Sequence, residues 1–106
     1  MKIPLSLGSA VAALAGVSAL LIAQPSLAYT GQALAKHAKI TLDQARAIAL
    51  KARPGQITDQ ELEKERGGSG LRYSFDIKSA GVTYEVGVDA RTSKVLQNGK
   101  EGAHPD

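Results

Sequence analysis

The sequence contains no cysteine. Disulfides, thiol catalysis and thiolate metal sites are therefore excluded, and so is lipid anchoring at a signal-peptide cysteine. No arginine-rich run with interleaved aromatics occurs, so there is no nucleic-acid-binding signature. Internal repeats are also missing. The formal charge of +3 over 106 residues is a mild excess that singles out no partner class. That length holds one domain, not two.

The first residues are not part of that domain. Met1 and Lys2 form a short basic start, and residues 5–23 are almost all Leu, Ala, Val, Ile, Gly and Ser. Gln24 and Pro25 break the run, and Ser26, Leu27 and Ala28 follow with small residues at the cleavage spacing. Residues 1–28 are thus expected to be a signal peptide cut after Ala28, giving a periplasmic or secreted bacterial protein. The alternative is an uncut membrane anchor, because the apolar run is near spanning length. What remains is an exported domain of under about 80 residues with no crosslinks. It must hold itself by one thin apolar core, and its stability should be modest.

Residues 29–39, "YTGQALAKHAK", read as a linker. The stretch "ITLDQARAIALKARPG", residues 40–55, reads as a helix. Thr41 is a natural N-cap, and Gln44 three residues on completes a capping box. Leu42, Ala45, Ile48, Ala49 and Ala52 share one face at helical spacing. The alanines keep that face flat for packing on a sheet, and Pro54 and Gly55 end the helix.

In "LRYSFDIK", residues 71–78, Leu71, Tyr73, Phe75 and Ile77 face one way and Arg72, Ser74, Asp76 and Lys78 the other. This is the pattern of a half-buried antiparallel strand. With residues 67–70 as its loop, the preceding strand pairs Arg66 with Leu71, Leu62 with Phe75 and Glu65 with Arg72. Ile57 then has the wrong parity, so a bulge is expected near Asp59, or Ile57 precedes the pairing. In the next strand, residues 82–90, Val82, Tyr84, Val86 and Val88 share a face. Parity allows a hairpin loop of residues 78–81 or of Ala80 and Gly81 alone. A turn at residues 90–93 and a short return at 94–97 follow, and residues 98–106 read as a flexible tail. The expected fold is α+β: one N-terminal helix packed on a three-stranded antiparallel meander, with a short C-terminal β-return.

Four features then combine in order: the helix ending in Pro54-Gly55, the "ELE" at residues 61–63, "YEVGVDA" at 84–90 and "TSKVL" at 92–96. Together, over residues 40–97, they resemble a PepSY domain. The family usually reads Asp-Ala-x-Thr-Gly-x-Val; here Ser93 stands where glycine is usual. If that position needs a positive φ, serine costs about 1 kcal/mol. PepSY domains occur in propeptides of thermolysin-like metallopeptidases and in small exported bacterial proteins. The resemblance implies a non-catalytic module that restrains or modulates peptidases near the cell surface. It implies no catalytic residues and no cofactor.

The candidate sites are few. His37 and His104 lie in opposite tails with no ligand-spaced partner, so neither suggests a metal. Ser69, Ser74, Ser79 and Ser93 lie in no nucleophile-elbow pattern, and "GGSG" lacks the Lys-Ser/Thr of a phosphate loop. The outer sheet face displays Glu61, Glu63, Glu65, Asp76 and Glu85 against Arg72 and Lys78. It reads as a solvated face or as a docking surface for a basic partner, with Glu63 and Glu85 exposed. A weak calcium site is disfavoured, because a flat sheet does not readily supply six oxygens. The residues alone point to an exported α+β module with no reaction, and the resemblance implies a non-enzymatic protein-binding module whose partner is a peptidase or envelope sensor. The alternative is an envelope ligand- or cation-binding protein that uses the acidic face. A partner is expected at the exposed sheet surface or a free strand edge rather than at the helix.

Overall fold

The structure, a computed structural model, describes residues 28–102. The expected signal segment before Ala28, His104 and the end of the expected tail lie outside the described residues. No helix among those described is long and apolar enough to cross a membrane.

The helix α1 spans Leu42–Ala52. Its capping box forms as the sequence predicts. The Gln44 N–H donates to the Thr41 hydroxyl at 3.1 Å, and the Thr41 N–H donates to Oε1 of Gln44 at 2.8 Å. Ala45 and Ala49 are fully buried, with Leu42, Ile48 and Leu50 half-buried beside them. Small side chains at the centre of the face let the helix lie close on the sheet.

That sheet has four antiparallel strands in sequence order: β1 Gln56–Lys64, β2 Leu71–Ser79, β3 Val82–Asp89 and β4 Val95–Lys100. The expected short return is therefore a full fourth strand, and Asn98, Gly99 and Lys100 belong to it rather than to a tail. Hydrogen bonding to β3 holds them, with Tyr84 opposite Lys100 and Glu85 opposite Gly99. The alternating strands meet core to core: Tyr73 opposite Val88, Phe75 opposite Val86 and Ile77 opposite Tyr84. Tyr73, Phe75, Ile77, Val86, Val88 and Leu62 are all buried beneath α1.

β1 differs in register from the expectation. Lys64, not Arg66, lies opposite Leu71, and Leu62 faces Tyr73 rather than Phe75. The slip is two residues, so every side chain keeps its face. The bulge expected near Asp59 is present, because pairing shifts between Ile57 and Asp59. The β2–β3 hairpin closes through the two-residue option, Ala80 and Gly81.

Residues 29–39 are not a free linker. They hold a 3-10 helix, Gln32–His37, and Tyr29, Leu34, Ala35 and Ala38 pack against the core. The N–H groups of Lys39 and Ile40 donate to the Ala90 carbonyl at 2.9 and 3.2 Å. The buried Tyr73 hydroxyl donates to the Ile40 carbonyl at 2.9 Å. Burial, and then the neighbouring Tyr29, push the Tyr73 phenol up to about 12. The apolar side chains of a sequence that looks polar overall are what anchor this segment.

Among the described residues, two other than glycine adopt left-handed backbone, Ala80 at φ 50° and Ser93 at φ 73°. A Cβ there costs about 1–2 kcal/mol relative to glycine. Ser93→Gly should therefore raise stability by about 1 kcal/mol, after allowing for glycine's greater freedom in the unfolded chain. Urea denaturation at neutral pH checks this, with Ala80→Gly as a second case.

Candidate functional site

On the outer sheet face Arg72 is covered at one end, while carboxylates gather toward the other, open end, where exposed Lys78 follows Asp76 on β2. At the covered end Arg72 is only 9 % exposed. It lies over Gly87, where a Cβ would sit 2.8 Å from the Arg72 Cδ, so glycine makes room for the stem. Arg72 donates to Oε1 of Gln97 at 3.2 Å and to the Arg66 carbonyl at 2.9 Å, while its Nε is buried without a hydrogen-bond partner.

At the open end Asp76 lies directly opposite Asp59 on one side and Glu85 on the other, with Glu61 nearby. Glu63 stands opposite Arg72 and accepts a 2.7 Å hydrogen bond from the Ser74 hydroxyl. Glu65 leaves the sheet for the β1–β2 loop, where its N–H donates to the Gly70 carbonyl. The structure thus brings Glu61, Glu63, Asp76 and Glu85 onto one face, with Glu63 nearest the Arg72 end, and sets Glu65 apart. Glu63 and Glu85 are half-buried, not exposed as the alternation suggested, because neighbouring strands and Ser74 cover them. Asp59 and Glu101 join the group unforeseen. Asp59 alternates with Glu61 and Glu63 on this face, the bulge lying just before it and turning Ile57 to the core instead, and the end of β4 brings Glu101 to Asp76.

Burial first, and then the crowd of carboxylates, hold Glu61 and Asp76 above the usual carboxylate range. A raised folded pKa favours the fold at low pH, and that contribution is lost as pH rises through the folded value. Asp76→Asn should therefore raise the melting temperature at neutral pH. The gain, below about 1 kcal/mol at this partly solvated position, should vanish below about pH 4, where the native carboxyl is itself protonated. Paired melts at neutral and acid pH give the comparison. Among the described residues no group of three or more His, Cys, Asp or Glu side chains is arranged to hold a metal ion.

A second constellation escaped the sequence reading. Asp89 is fully buried at the end of β3. Its carboxylate accepts from the Ser69 N–H at 2.6 Å, the Ser69 hydroxyl at 2.8 Å, the Arg91 N–H at 2.8 Å and the Thr92 N–H at 3.0 Å. Burial would raise its pKa, but these bonds outweigh burial and hold the carboxyl well below the usual range. A Cβ at Gly68 would overlap Oδ2 of Asp89, so only glycine fits this approach. The carboxylate ties the β1–β2 loop to the β3–β4 turn, and "GGSG" is the strap that reaches it. An aspartate opening a turn is a recognisable signal for the Arg91 and Thr92 bonds; the bonds from Ser69 cross from a different hairpin and leave no local signal.

The third feature is a groove of about 450 Å³ beside β1, bordered by Tyr29, Thr30, Arg46 of α1, Ile57, Asp59 and Gln60. Arg46 reaches across to the Gln60 side-chain carbonyl at 2.5 Å.

Comparison with curated proteins and with solved structures returns no match. A family model, described as the peptidase propeptide and YPEB domain, matches residues 39–97. The match covers α1, β1, β2, β3 and the start of β4, including both loops that Asp89 ties together. It spans over half of the 106 residues, and the chain belongs to the PepSY family.

Proposed function

We propose that this chain is an exported, non-catalytic binding module that restrains or modulates a peptidase of the cell envelope. The observation that carries the reading is the family match, whose description is that of a peptidase propeptide domain. Three features support it. The most strongly hydrogen-bonded carboxylate, Asp89, is committed to holding two loops. The Ser69 and Ser74 hydroxyls both donate to carboxylates rather than standing ready as nucleophiles. The open features, a strand edge and an acidic face, suit protein contact.

Deleting the gene and restoring it, with reporter-protein cleavage followed in the envelope fraction, tests the proposal. Cleavage should rise on deletion and fall on restoration. Identical cleavage in all three strains would overturn it.

A further inference from the structure

We propose that the free edge of β1, from Gln56 to Gln60, takes an extended segment of a partner protein in which apolar and basic side chains alternate. The inference rests on the reading of this chain as a protein-binding module and specifies how it binds.

β1 is the terminal strand of the sheet, so one side of its backbone has no strand partner from the sheet. That side already receives a strand where the chain offers one. The Leu62 N–H turns away from β2 and donates to the Thr30 carbonyl at 2.9 Å, and Thr30 pairs with Glu61 in parallel. Peptide groups alternate in direction along a strand, so Gln60, two residues from Leu62, turns its N–H to the same side, while its C=O faces Thr30 across the bridge. Among the described residues the bridge at Thr30 goes no further, and the groove opens there along Ile57, Thr58, Asp59 and Gln60, with Ala28 and Tyr29 beside it.

The two sides of this edge differ in chemistry. Ile57 and Tyr29, half-buried against the core, form an apolar side. Asp59 is exposed on the other, beside Glu61 and opposite Asp76. A strand added here points successive side chains to opposite faces. One set meets Ile57 and Tyr29, and the other passes over Asp59 and Glu61. Apolar residues fit the first set. Lysine or arginine fits the second, relieving the like-charge opposition of Asp59 and Asp76. An acidic segment would worsen that opposition. The far edge of the sheet, on β4, has a different character, with exposed Lys94 and Val95 at its start and Lys100 at its end.

The test titrates the full chain with a capped peptide of alternating valine and lysine and follows backbone amide signals by NMR. Shifts should centre on residues 56–60, and added salt should weaken binding. N-methylation of every second peptide residue on the edge facing β1 should weaken it about tenfold or more, by removing main-chain hydrogen bonds. Asp59→Lys, at an exposed position, should weaken it as well, with circular dichroism confirming the fold. A valine–glutamate peptide should not bind. No binding, equal affinity for the N-methylated peptide, or shifts centred on β4 or on the outer face alone would overturn the assignment. Binding at β1 without any effect on envelope peptidases leaves this assignment standing and overturns the peptidase reading. Peptidase restraint without shifts at β1 does the reverse.

Discussion

Replacing Asp89 by alanine is expected to lower stability by about 3–5 kcal/mol, the usual loss when one partner of a buried, hydrogen-bonded charged set is removed. Three backbone N–H groups and one hydroxyl, from Ser69, Arg91 and Thr92, would lose their acceptor together. The β1–β2 loop and the β3–β4 turn would lose the group that joins them. Asp89→Asn keeps the volume but turns an amide N–H₂ toward donors, and should cost about 1–3 kcal/mol. Its pH signature distinguishes it from simple loss of packing. The folded pKa of Asp89 lies below the unfolded one, so its contribution is complete above about 3.9 and is lost as pH falls toward the folded value. The native protein should lose stability steeply under about pH 4, and Asp89→Asn less steeply. Urea denaturation across that range measures both slopes.

Phe75→Ala should cost about 3–5 kcal/mol, as large-to-small changes at sealed aromatic positions do. Phe75 is fully buried at the centre of β2 and stacks on Tyr73 with ring centroids 6.5 Å apart. It faces Val86 across one ladder and Gln60 across the other. A domain this small has little reserve, since total stability scales at roughly 0.05–0.15 kcal/mol per residue. The variant should therefore be largely unfolded at ambient temperature, read as lost near-ultraviolet dichroism and collapsed amide dispersion. Phe75→Leu should retain the fold with a smaller loss.

The legible parts of the sequence were those fixed by short-range chemistry. Thr41 and Gln44 announce the start of α1, and the alternation of Leu71, Tyr73, Phe75 and Ile77 gives the buried face of β2. The parity of Ile57 gives the bulge. What escaped depends on contacts between distant residues. The strand pairing slipped by two residues because Ser69 must reach Asp89, which needs a longer β1–β2 loop than the glycines suggest. Parity protected the assignment of faces, so Glu61, Glu63, Asp76 and Glu85 share the outer face in either register. Glu101 was missed because the polar run after Gln97 looks frayed, and only its pairing with β3 orders it. The segment at residues 29–39 was underestimated for a similar reason. Tyr29 and Leu34 are too far apart for a helical stripe, yet both rest on the same core.

The most direct test of the account follows peptide hydrolysis by a purified thermolysin-like metallopeptidase from the same host envelope while the folded chain is titrated in, beside the chain alone. The account predicts a saturable fall in the hydrolysis rate and no hydrolysis by the chain itself. An unchanged rate at saturating chain, or hydrolysis by the chain alone, would contradict it.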